Sequence, residues 1–510
     1  MDDRISYLPG DVLRVILYFL PQKEAARTSV LSTAWRNLWI RRKNLEFFES
    51  KFKRSKEEFR HVIDDSLRRY HDSAMYLEEF TLSTALDDET LQHLQTFWIP
   101  RIEQLGGKKI SLIFESQDAD MNIPYVLFEI VQLYSLRLEK FTDSHLQGLN
   151  LVACVNLRMI ALVDVDVTNK DLENIANSCP LLENVTVQHC RMVSRLNFDV
   201  LHHLKTLCFE NYEFHEQQSF EVYVWNLETA VIGSNICDIF KMGGSLLHMT
   251  ELSLNHVMEG LRNLSNCYFP CLHFLRITNC HCLSGVDTAV NAPNLVLFEY
   301  KGQFVPKIKF AQIINQWDSK IQLLKTSSSG EWLPKLAELL QCLEGSNVYL
   351  IMDHNDIRKE HIFERTRASN KQVIESLSVR CDLSVASSLF LSVFLVCKPK
   401  ILYYIGDDRV TSVAYLWGIL KEEGNIKHES LPRILEFQEI RELLLEELEE
   451  ANFQIKKKWN REKDWHSCPL FEHLMSYKLS HFRFILKWKE TVAWKHSMED
   501  SHGEKKWKRA

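Results

Sequence analysis

A short apolar pattern recurs through the middle of the chain at almost constant spacing. Its form is apolar-x-x-apolar-x-apolar, and the first clear copy is the segment LYSLRL. Copies begin 22 to 25 residues apart, at Leu133, Leu157, Leu182, Leu204, Leu227, Met249, Leu272 and Leu295. Alternation of apolar and polar residues predicts a short strand with one buried face. A strand that returns at a fixed interval predicts repeats stacked side by side.

The spacing between copies is that of leucine-rich repeats, which are about 20–29 residues long. We therefore predict an α/β leucine-rich-repeat solenoid with a curved parallel sheet, in which the rest of each repeat returns the chain. The solenoid is expected to occupy residues 77–410 and is clearest over residues 133–301, because weaker copies flank the regular ones. The pattern does not fix the register of the repeats over residues 302–345.

The N-terminal segment carries more large apolar side chains than a unit of about 40 residues can bury. A helix is predicted between Pro9 and Pro21, because proline suits a first helical turn and ends a helix when it stands further on. Two more helical segments follow, one before and one after Ser32. Since three short helices cannot enclose all of these side chains, part of the apolar surface is expected to contact a partner.

Two segments within residues 3–47, LPGDVLRVILYFLP and ARTSVLSTAWRNLW, resemble an F-box of the plant type. The resemblance implies a three-helix unit that docks on a Skp-type linker protein, which bridges it to a cullin-based ubiquitin ligase. With the repeats, the chain resembles plant F-box/leucine-rich-repeat proteins. We expect these residues to divide between the F-box core and the surface for the Skp-type partner: Leu8, Pro9, Ile16, Leu20, Val30, Leu31, Trp35, Leu38 and Trp39.

Residues 48–76 are predicted to form a linker and a capping helix. The segment after Ser55 places apolar residues on one side of a helix, namely Phe59, Val62, Ile63, Leu67 and Tyr70. A helix of this kind would cover the first edge of the repeat sheet, which would otherwise be exposed.

Residues 411–510 are predicted to form a C-terminal region with two parts of opposite charge. Residues 434–451 are rich in glutamate and are predicted to form an acidic helix. From Lys456 onwards, 14 lysines and arginines stand against 7 acidic residues in a tail that contains five tryptophans. Tryptophan beside lysine can stack on nucleic-acid bases. Charge runs are more often solvated surface, however, and the overall net charge of −7 favours no nucleic-acid partner.

The cysteines near residue 280 suggest a zinc site, because Cys267, Cys271, Cys280, His281 and Cys282 are the residue types that zinc prefers. However, Cys190 and Cys280 each stand three residues after the last apolar strand position. In this class of repeat that position takes a buried asparagine or cysteine. We therefore predict neither a metal site nor a cofactor.

Nothing in the sequence requires catalysis. The phosphate-binding, nucleophile-elbow and zinc-peptidase motifs are all missing from it. The longest apolar run, over residues 385–396, is shorter than the roughly 20 residues that cross a bilayer. The 13 cysteines show no paired framework, which favours reduced thiols in the cytosol, the nucleus or both.

The predicted function is that of a non-catalytic subunit that recognises substrates for a Skp–cullin–F-box ubiquitin ligase. The F-box would bind the Skp-type linker and, through it, a cullin, while the repeats would bind a target protein of unknown identity. A second hypothesis is an F-box receptor in which a small molecule completes the repeat surface for target binding.

The predicted target surface follows from strand parity. Residues that alternate with the buried ones must lie on the opposite, concave side of the sheet. Most of them are small or polar, and three depart from that rule: Phe274, Arg276 and Leu297. Because aromatic and arginine side chains are enriched at interface hot spots, we predict that these three anchor the target.

Overall fold

The structure is a computed structural model, and the chain divides into two compact units. The first comprises Met1–Ser327 and Glu338–Val348, and the second comprises Ser328–Ala337 and Tyr349–Ala510. The structure describes residues 8–20, 22–116, 130–141, 154–190, 192–193, 195–211, 221–223, 226–234, 245–257, 261–284, 287–324, 332–354, 371–381, 389–390, 392–404, 420, 446–457, 466–467 and 479–489.

Three short helices form the start of the first unit, as the F-box resemblance implies. They are α1 (Gly10–Phe19), α2 (Gln22–Thr28) and α3 (Thr33–Ile40). The hydroxyl of Ser32 accepts a hydrogen bond from the backbone N–H of Trp35 at 3.3 Å and so caps α3. The helical F-box that the sequence predicts is therefore confirmed.

The remaining helices lie before, between and after the strands. They are α4 (Lys56–Asp72), α5 (Asp88–His93), which continues through one π-turn (Leu94–Trp98) into α6 (Ile99–Gln104), then α7 (Asn169–Ser178) and α8 (Trp332–Cys342). Short 3-10 helices occupy Glu49–Lys51, Ser245–Leu247, Leu261–Asn266 and His281–Ser284. In α4 the predicted apolar side is buried except for Val62, which is 41% exposed.

A parallel sheet runs through the first unit. The strands of this unit are β1 (Asn44–Phe48), β2 (Glu79–Leu86), β3 (Lys109–Ser116), β4 (Leu133–Glu139), β5 (Met159–Val163), β6 (Asn184–Gln188), β7 (Arg195–Asn197), β8 (Thr206–Asn211), β9 (Glu221–Tyr223), β10 (Thr229–Ser234), β11 (Glu251–Asn255), β12 (Phe274–Thr278), β13 (Thr288–Val290), β14 (Leu297–Gly302), β15 (Ile308–Phe310) and β16 (Trp317–Leu323). Two small pairs, β7 with β9 and β13 with β15, stand outside the main sheet.

The strands pair in the register that the repeat pattern predicts. Along one row of the sheet, Leu136, Ile160, Val185 and Leu207 are in-register partners, and all four are buried. The alternating residues form the opposite side of the sheet, which we call the open face, such as Ser135 and Arg137 in β4. The predicted α/β leucine-rich-repeat architecture is confirmed.

Most of the regular strands end at a residue in the left-handed backbone region. These residues are Lys140, Asp164, His189, His256 and Asn279, with φ between 52° and 58°. A side chain in this conformation costs about 1 kcal/mol or more. Each of the five donates its backbone N–H to a carbonyl at the end of the next strand, at 2.6 to 3.0 Å, which offsets the cost.

The sheet also contains a strand that the repeat pattern does not reveal. Strand β16 lies beside β14, where Ser319 pairs with Phe298 and so takes an inward position. This serine is fully buried and donates a hydrogen bond to the hydroxyl of Ser346 at 2.9 Å. A polar residue at an inward position interrupts the alternation, which explains why the register over residues 302–345 is not evident from sequence.

Strand β17 (Ser346–His354) belongs to the second unit from Tyr349 onwards. The other strands of its mixed sheet are β18 (Gln372–Cys381), β19 (Cys397–Tyr404), β20 (Leu448–Lys457), β21 (His466–Ser467) and β22 (Leu479–Trp488). Strands β17, β18 and β19 are parallel, whereas β22 lies antiparallel between β19 and β20. Strand β21 pairs antiparallel with β20.

The predicted acidic helix over residues 434–451 is wrong at its C-terminal end. Residues 448–451 begin strand β20, although residues 446–447 are helical. Burial of Leu448, Ala451 and Phe453 against the sheet outweighs the helix preference of the glutamates between them. Residues 434–445 lie outside the described part of the chain, as do Trp459, Trp465, Trp494 and Trp507 of the predicted basic tail.

Candidate partner-binding surfaces

The F-box encloses a small apolar core. Leu13, Leu17, Ala25 and Trp35 are at most 3% exposed and form one cluster. Partly buried residues pack around it, namely Leu8, Ile16, Leu20, Leu38 and Trp39. Among the nine predicted residues, Trp35 therefore belongs to the core and these five border it.

The other predicted residues of the F-box are exposed. Val30 is 80% exposed and Leu31 is 60% exposed at the turn between α2 and α3, and Pro9 is exposed before α1. Sequence reasoning missed Phe19, which is 77% exposed, and Val15, which is 55% exposed. Their spacing relative to Leu13 and Leu17 could have revealed them, because they lie on a different face of the same helix.

A buried arginine joins the F-box to the first repeat strand. The Arg42 side chain is 2% exposed and donates to the carbonyl of Leu20 at 2.6 Å and to that of Tyr18 at 3.3 Å. It also lies 3.3 Å from the Glu46 carboxylate on β1. Burial lowers the pKa of Arg42 despite this carboxylate. The end of α1 is thus held directly on the residues around β1.

Further contacts strengthen the same junction. The Tyr70 hydroxyl of α4 donates to the carbonyl of Arg42 at 2.6 Å, and burial raises the pKa of Tyr70 to about 12. Burial and a hydrogen bond to Glu79 raise the pKa of Tyr18. Glu79 in turn accepts from Lys109 at 2.9 Å. The polar contacts therefore continue from α1 onto β2 and β3.

The segment predicted as a linker is bound to the repeats. Strand β1, at the end of the F-box, pairs in parallel with β2, from Asn44 with Glu79 to Phe48 with Ser83. Immediately after β1, the Glu49 carboxylate accepts from the Thr84 hydroxyl at 2.6 Å and from the Ala85 N–H at 2.9 Å. The F-box and the repeats consequently share one sheet.

The predicted target anchors lie together on the open face. Phe274 is 38% exposed and is the in-register partner of Leu297 on the next strand. Arg276 forms ion pairs with Glu251 and, at 2.7 Å, with Glu299. These glutamates raise the pKa of Arg276, chiefly through the hydrogen bond to Glu299. Its charge is therefore neutralised within the sheet, which weakens the case for Arg276 as an anchor.

Other polar side chains on the open face also bind one another. Gln188 donates to Glu210 at 2.7 Å, and Asn255 donates to the other oxygen of the same carboxylate at 2.9 Å. Asn255 reaches Glu210 across Gly233, which stands between them in the sheet and has no side chain. Arg137 pairs with Glu139 in the same way within β4.

The cysteines of the turns behave as buried apolar residues. Cys190 and Cys280 are at most 3% exposed, and their thiols lie 3.4 to 3.6 Å from backbone carbonyls. Burial raises the pKa of Cys190 to about 11. Within the described residues, no group of three or more His, Cys, Asp or Glu side chains could hold a metal ion. No described helix is long and apolar enough to cross a membrane.

Comparison with known families identifies the two parts of the chain. Residues 5–47 match the F-box domain, and residues 70–263 match the At1g61320/AtMIF1, LRR domain family. The first match corresponds to the predicted F-box over residues 3–47. The chain therefore combines an F-box with leucine-rich repeats.

Several proteins of Arabidopsis thaliana are similar to part of this chain. They include an F-box/FBD/LRR-repeat protein, 32% identical over 192 residues that are 36% of this chain and 41% of the relative. Also similar are the FBD-associated F-box protein At5g27750 (30% over 195 residues, 36% and 42%) and the F-box/LRR-repeat protein At2g42720 (30% over 198 residues, 37% and 44%). The chain spans about two fifths of the length of these curated relatives. Over the matched parts, the chain is similar to plant F-box/leucine-rich-repeat proteins.

Proposed function

We propose that this protein recognises substrates for a Skp–cullin–F-box ubiquitin ligase and performs no catalysis itself. The observation that carries the proposal is an F-box with an exposed apolar surface on the same sheet as the repeats. Chemistry would be supplied by other subunits. The adaptor would raise the effective concentration of target lysines near activated ubiquitin.

The Skp-type linker would bind the exposed apolar surface of the F-box. Pro9, Val30 and Leu31 offer side chains that the small core leaves uncovered, and Phe19 extends this exposed set. The partly buried residues that pack on the core would hold this surface in position, namely Leu8, Ile16, Leu20, Leu38 and Trp39. Burial of such residues by a partner contributes about 1.5–3 kcal/mol for each large side chain.

The target would bind the open face, with the neighbouring side chains of Phe274 and Leu297 as an apolar anchor. Arg276 would hold the strands around this pair in place through its ion pairs with Glu251 and Glu299. Assembly with a cullin through the Skp-type linker would operate in the cytosol or the nucleus. Free thiols fit such a reducing compartment, and all nine cysteines whose side chains are described are free.

Co-purification with a plant Skp-type protein tests the proposal directly. The double variant Val30→Asp/Leu31→Asp should lose the Skp-type protein, because two charges would face an apolar partner surface. A matched control is Met192→Asp, since Met192 is 59% exposed on the repeats. Equal recovery of the Skp-type protein with the double variant and the wild type would contradict the proposal.

A further inference from the structure

The apolar anchor of the open face, Phe274 and Leu297, has a carboxylate as its next neighbour. Phe274, Leu297 and Asp318 are successive in-register partners on β12, β14 and β16. Phe274 is 38% exposed, and Leu297 and Asp318 are half-buried. Val296, which precedes Leu297, is 41% exposed and accepts a hydrogen bond from the backbone N–H of Asp318 at 2.8 Å. An accessible apolar surface and an acidic group therefore lie side by side where these strands begin.

The charge of Asp318 is not balanced, in contrast to the charges around it. The neighbouring charged side chains form ion pairs with one another, namely Arg276 with Glu251 and Glu299, and Lys320 with Glu299 at 3.0 Å. Within the described part of the chain, no cation pairs with Asp318, and its carboxylate accepts only from the side-chain amide of Asn347, at 2.8 Å. This neutral donor fixes the position of the carboxylate without removing its charge. Three carboxylates against two cations leave one negative charge beside the apolar anchor.

The next cation along the same strand is too far away to compensate. Lys301 is four residues beyond Leu297 on β14, and so roughly 13 Å from the row that contains Asp318. That distance exceeds the Debye length of about 8 Å at physiological ionic strength. A basic group of a partner would therefore meet an acidic site that this chain leaves open.

Strand spacing sets the distance between the apolar anchor and the carboxylate. Adjacent strands lie about 4.8 Å apart, so the midpoint between Phe274 and Leu297 is roughly 7 Å from Asp318. Side chains two residues apart on one side of an extended chain are separated by about 6.4–6.8 Å. An extended segment that crosses the strands can accordingly place one side chain on the anchor and the other at Asp318.

We propose that the target presents an extended segment in which an apolar residue stands two positions from a lysine or arginine. The apolar side chain would pack on Phe274 and Leu297. The basic group would pair with Asp318, while its methylene groups would cover part of Leu297. Acidic segments and nucleic acids would be disfavoured, because they bring negative charge to an unbalanced carboxylate. The assignment of the segment to a target rests on the proposed adaptor function, whereas the sequence preference rests on this surface alone.

Three synthetic peptides test the preference on the full-length chain. The probe is N-acetyl-Ser-Leu-Ser-Lys-Ser-amide, and two further peptides carry glutamate in place of its lysine or alanine in place of its leucine. In titrations followed by saturation-transfer NMR, the probe should bind at least about threefold more tightly than either of the others, since one exposed ion pair contributes modestly. The difference between the lysine and glutamate peptides should vanish at 1 M salt, where the Debye length is about 3 Å.

Variants of Asp318 assign the preference to this carboxylate. Asp318→Lys should reverse it, so that the glutamate peptide binds more tightly than the lysine peptide, and a reversal cannot result from a loss of folding. Asp318→Asn keeps an oxygen for the Asn347 amide and should bind the two peptides equally. Glu139→Gln is the matched control, because Glu139 lies on the same open face and is already paired with Arg137. This control should keep the preference of the wild type.

Several results would overturn the proposal. They are absence of peptide binding to the wild type, equal binding of the lysine and glutamate peptides, and an unchanged preference in Asp318→Asn. The chain's own C-terminus carries Trp507 two residues before Arg509. Peptide binding that emerges only in Trp507→Ala/Arg509→Ala would make this tail the occupant, and would also overturn the proposal.

Target capture completes the test once a target is known. Asp318→Lys should lose the target and keep the Skp-type protein. Undiminished target capture by Asp318→Lys would refute the target as the occupant. Failure of the wild type to bind any Skp-type protein would refute the adaptor function and leave the peptide preference standing.

Discussion

Replacing Arg42 by methionine should release the F-box from the repeats without unfolding the repeats. The side chain is 2% exposed and holds the carbonyls of Tyr18 and Leu20 and the Glu46 carboxylate. Methionine keeps much of the volume and removes every donor. Breaking a buried pair by removal of one partner costs about 3–5 kcal/mol. We take the lower end, about 3 kcal/mol, because Glu46 is 26% exposed and can gain water.

Hydrogen–deuterium exchange of the full-length chain measures this loss locally. Since about 1.4 kcal/mol corresponds to a factor of ten, protection of the amides in α1 and β1 should fall roughly 100-fold. Amides in β5 and β6 should keep their protection. Arg14→Met is the control, because Arg14 pairs with Asp11 on the exposed side of α1 and such pairs contribute about 0–1 kcal/mol.

Unchanged protection of α1 and β1 in Arg42→Met would contradict this role of Arg42. A loss of protection spread evenly over all repeats would also contradict it. In the first case the apolar core of the F-box alone would fix its position. In the second case Arg42 would stabilise the whole first unit rather than the junction alone.

Three further predictions concern the repeats and the second unit. Val185→Asp should lower the midpoint of thermal unfolding, because Val185 is 1% exposed and an unpaired buried charge costs about several kcal/mol. Thr186→Asp is the control and should leave the midpoint unchanged, so equal midpoints for the two variants would contradict the strand register. The double variant Phe274→Ala/Leu297→Ala should reduce target capture, because it removes the proposed apolar anchor. Binding of the Skp-type protein and the midpoint of thermal unfolding should stay unchanged. Undiminished target capture would show that the target binds elsewhere. Burial raises the pKa of Glu447, but the hydrogen bond and charge of Lys371 and the charge of Lys398 lower it more, so the net pKa is depressed. The ionised form therefore stabilises the fold above the pKa of an unfolded glutamate, and this contribution is lost as pH falls through the folded pKa. Glu447→Gln should reduce exchange protection of β22 at pH 7, and the difference from wild type should vanish in acid.

The repeat architecture could be predicted from sequence because burial there depends on simple alternation. Val185 and Leu275 take the inward positions that the pattern assigns to them. Where a polar residue takes such a position, as Ser319 does, its hydrogen bond replaces apolar burial and the pattern is hidden. In β20 the glutamates indicate a helix, and only the neighbouring strand β22 shows why the segment is extended.

The candidate surfaces could be predicted only in part. Strand parity predicted that Phe274 and Leu297 lie on the same side of the sheet, and the structure shows that they are in-register partners on β12 and β14. The ion pairs of Arg276 depend on glutamates 23 and 25 residues away, which no local pattern reveals.

The strand β1 has a consequence for how this protein can be divided or recombined. Removal of residues 1–48 would leave β2 with an unpaired edge, and such an edge is a template for aggregation. An F-box fragment that ends at residue 47 would carry an extended segment without its partner strand. Exchange of the F-box for that of a relative is therefore expected to succeed only when β1 is transferred together with Arg42 and its contacts, or when both are left in place. At this end of the chain, the F-box and strand β1 therefore form one structural unit.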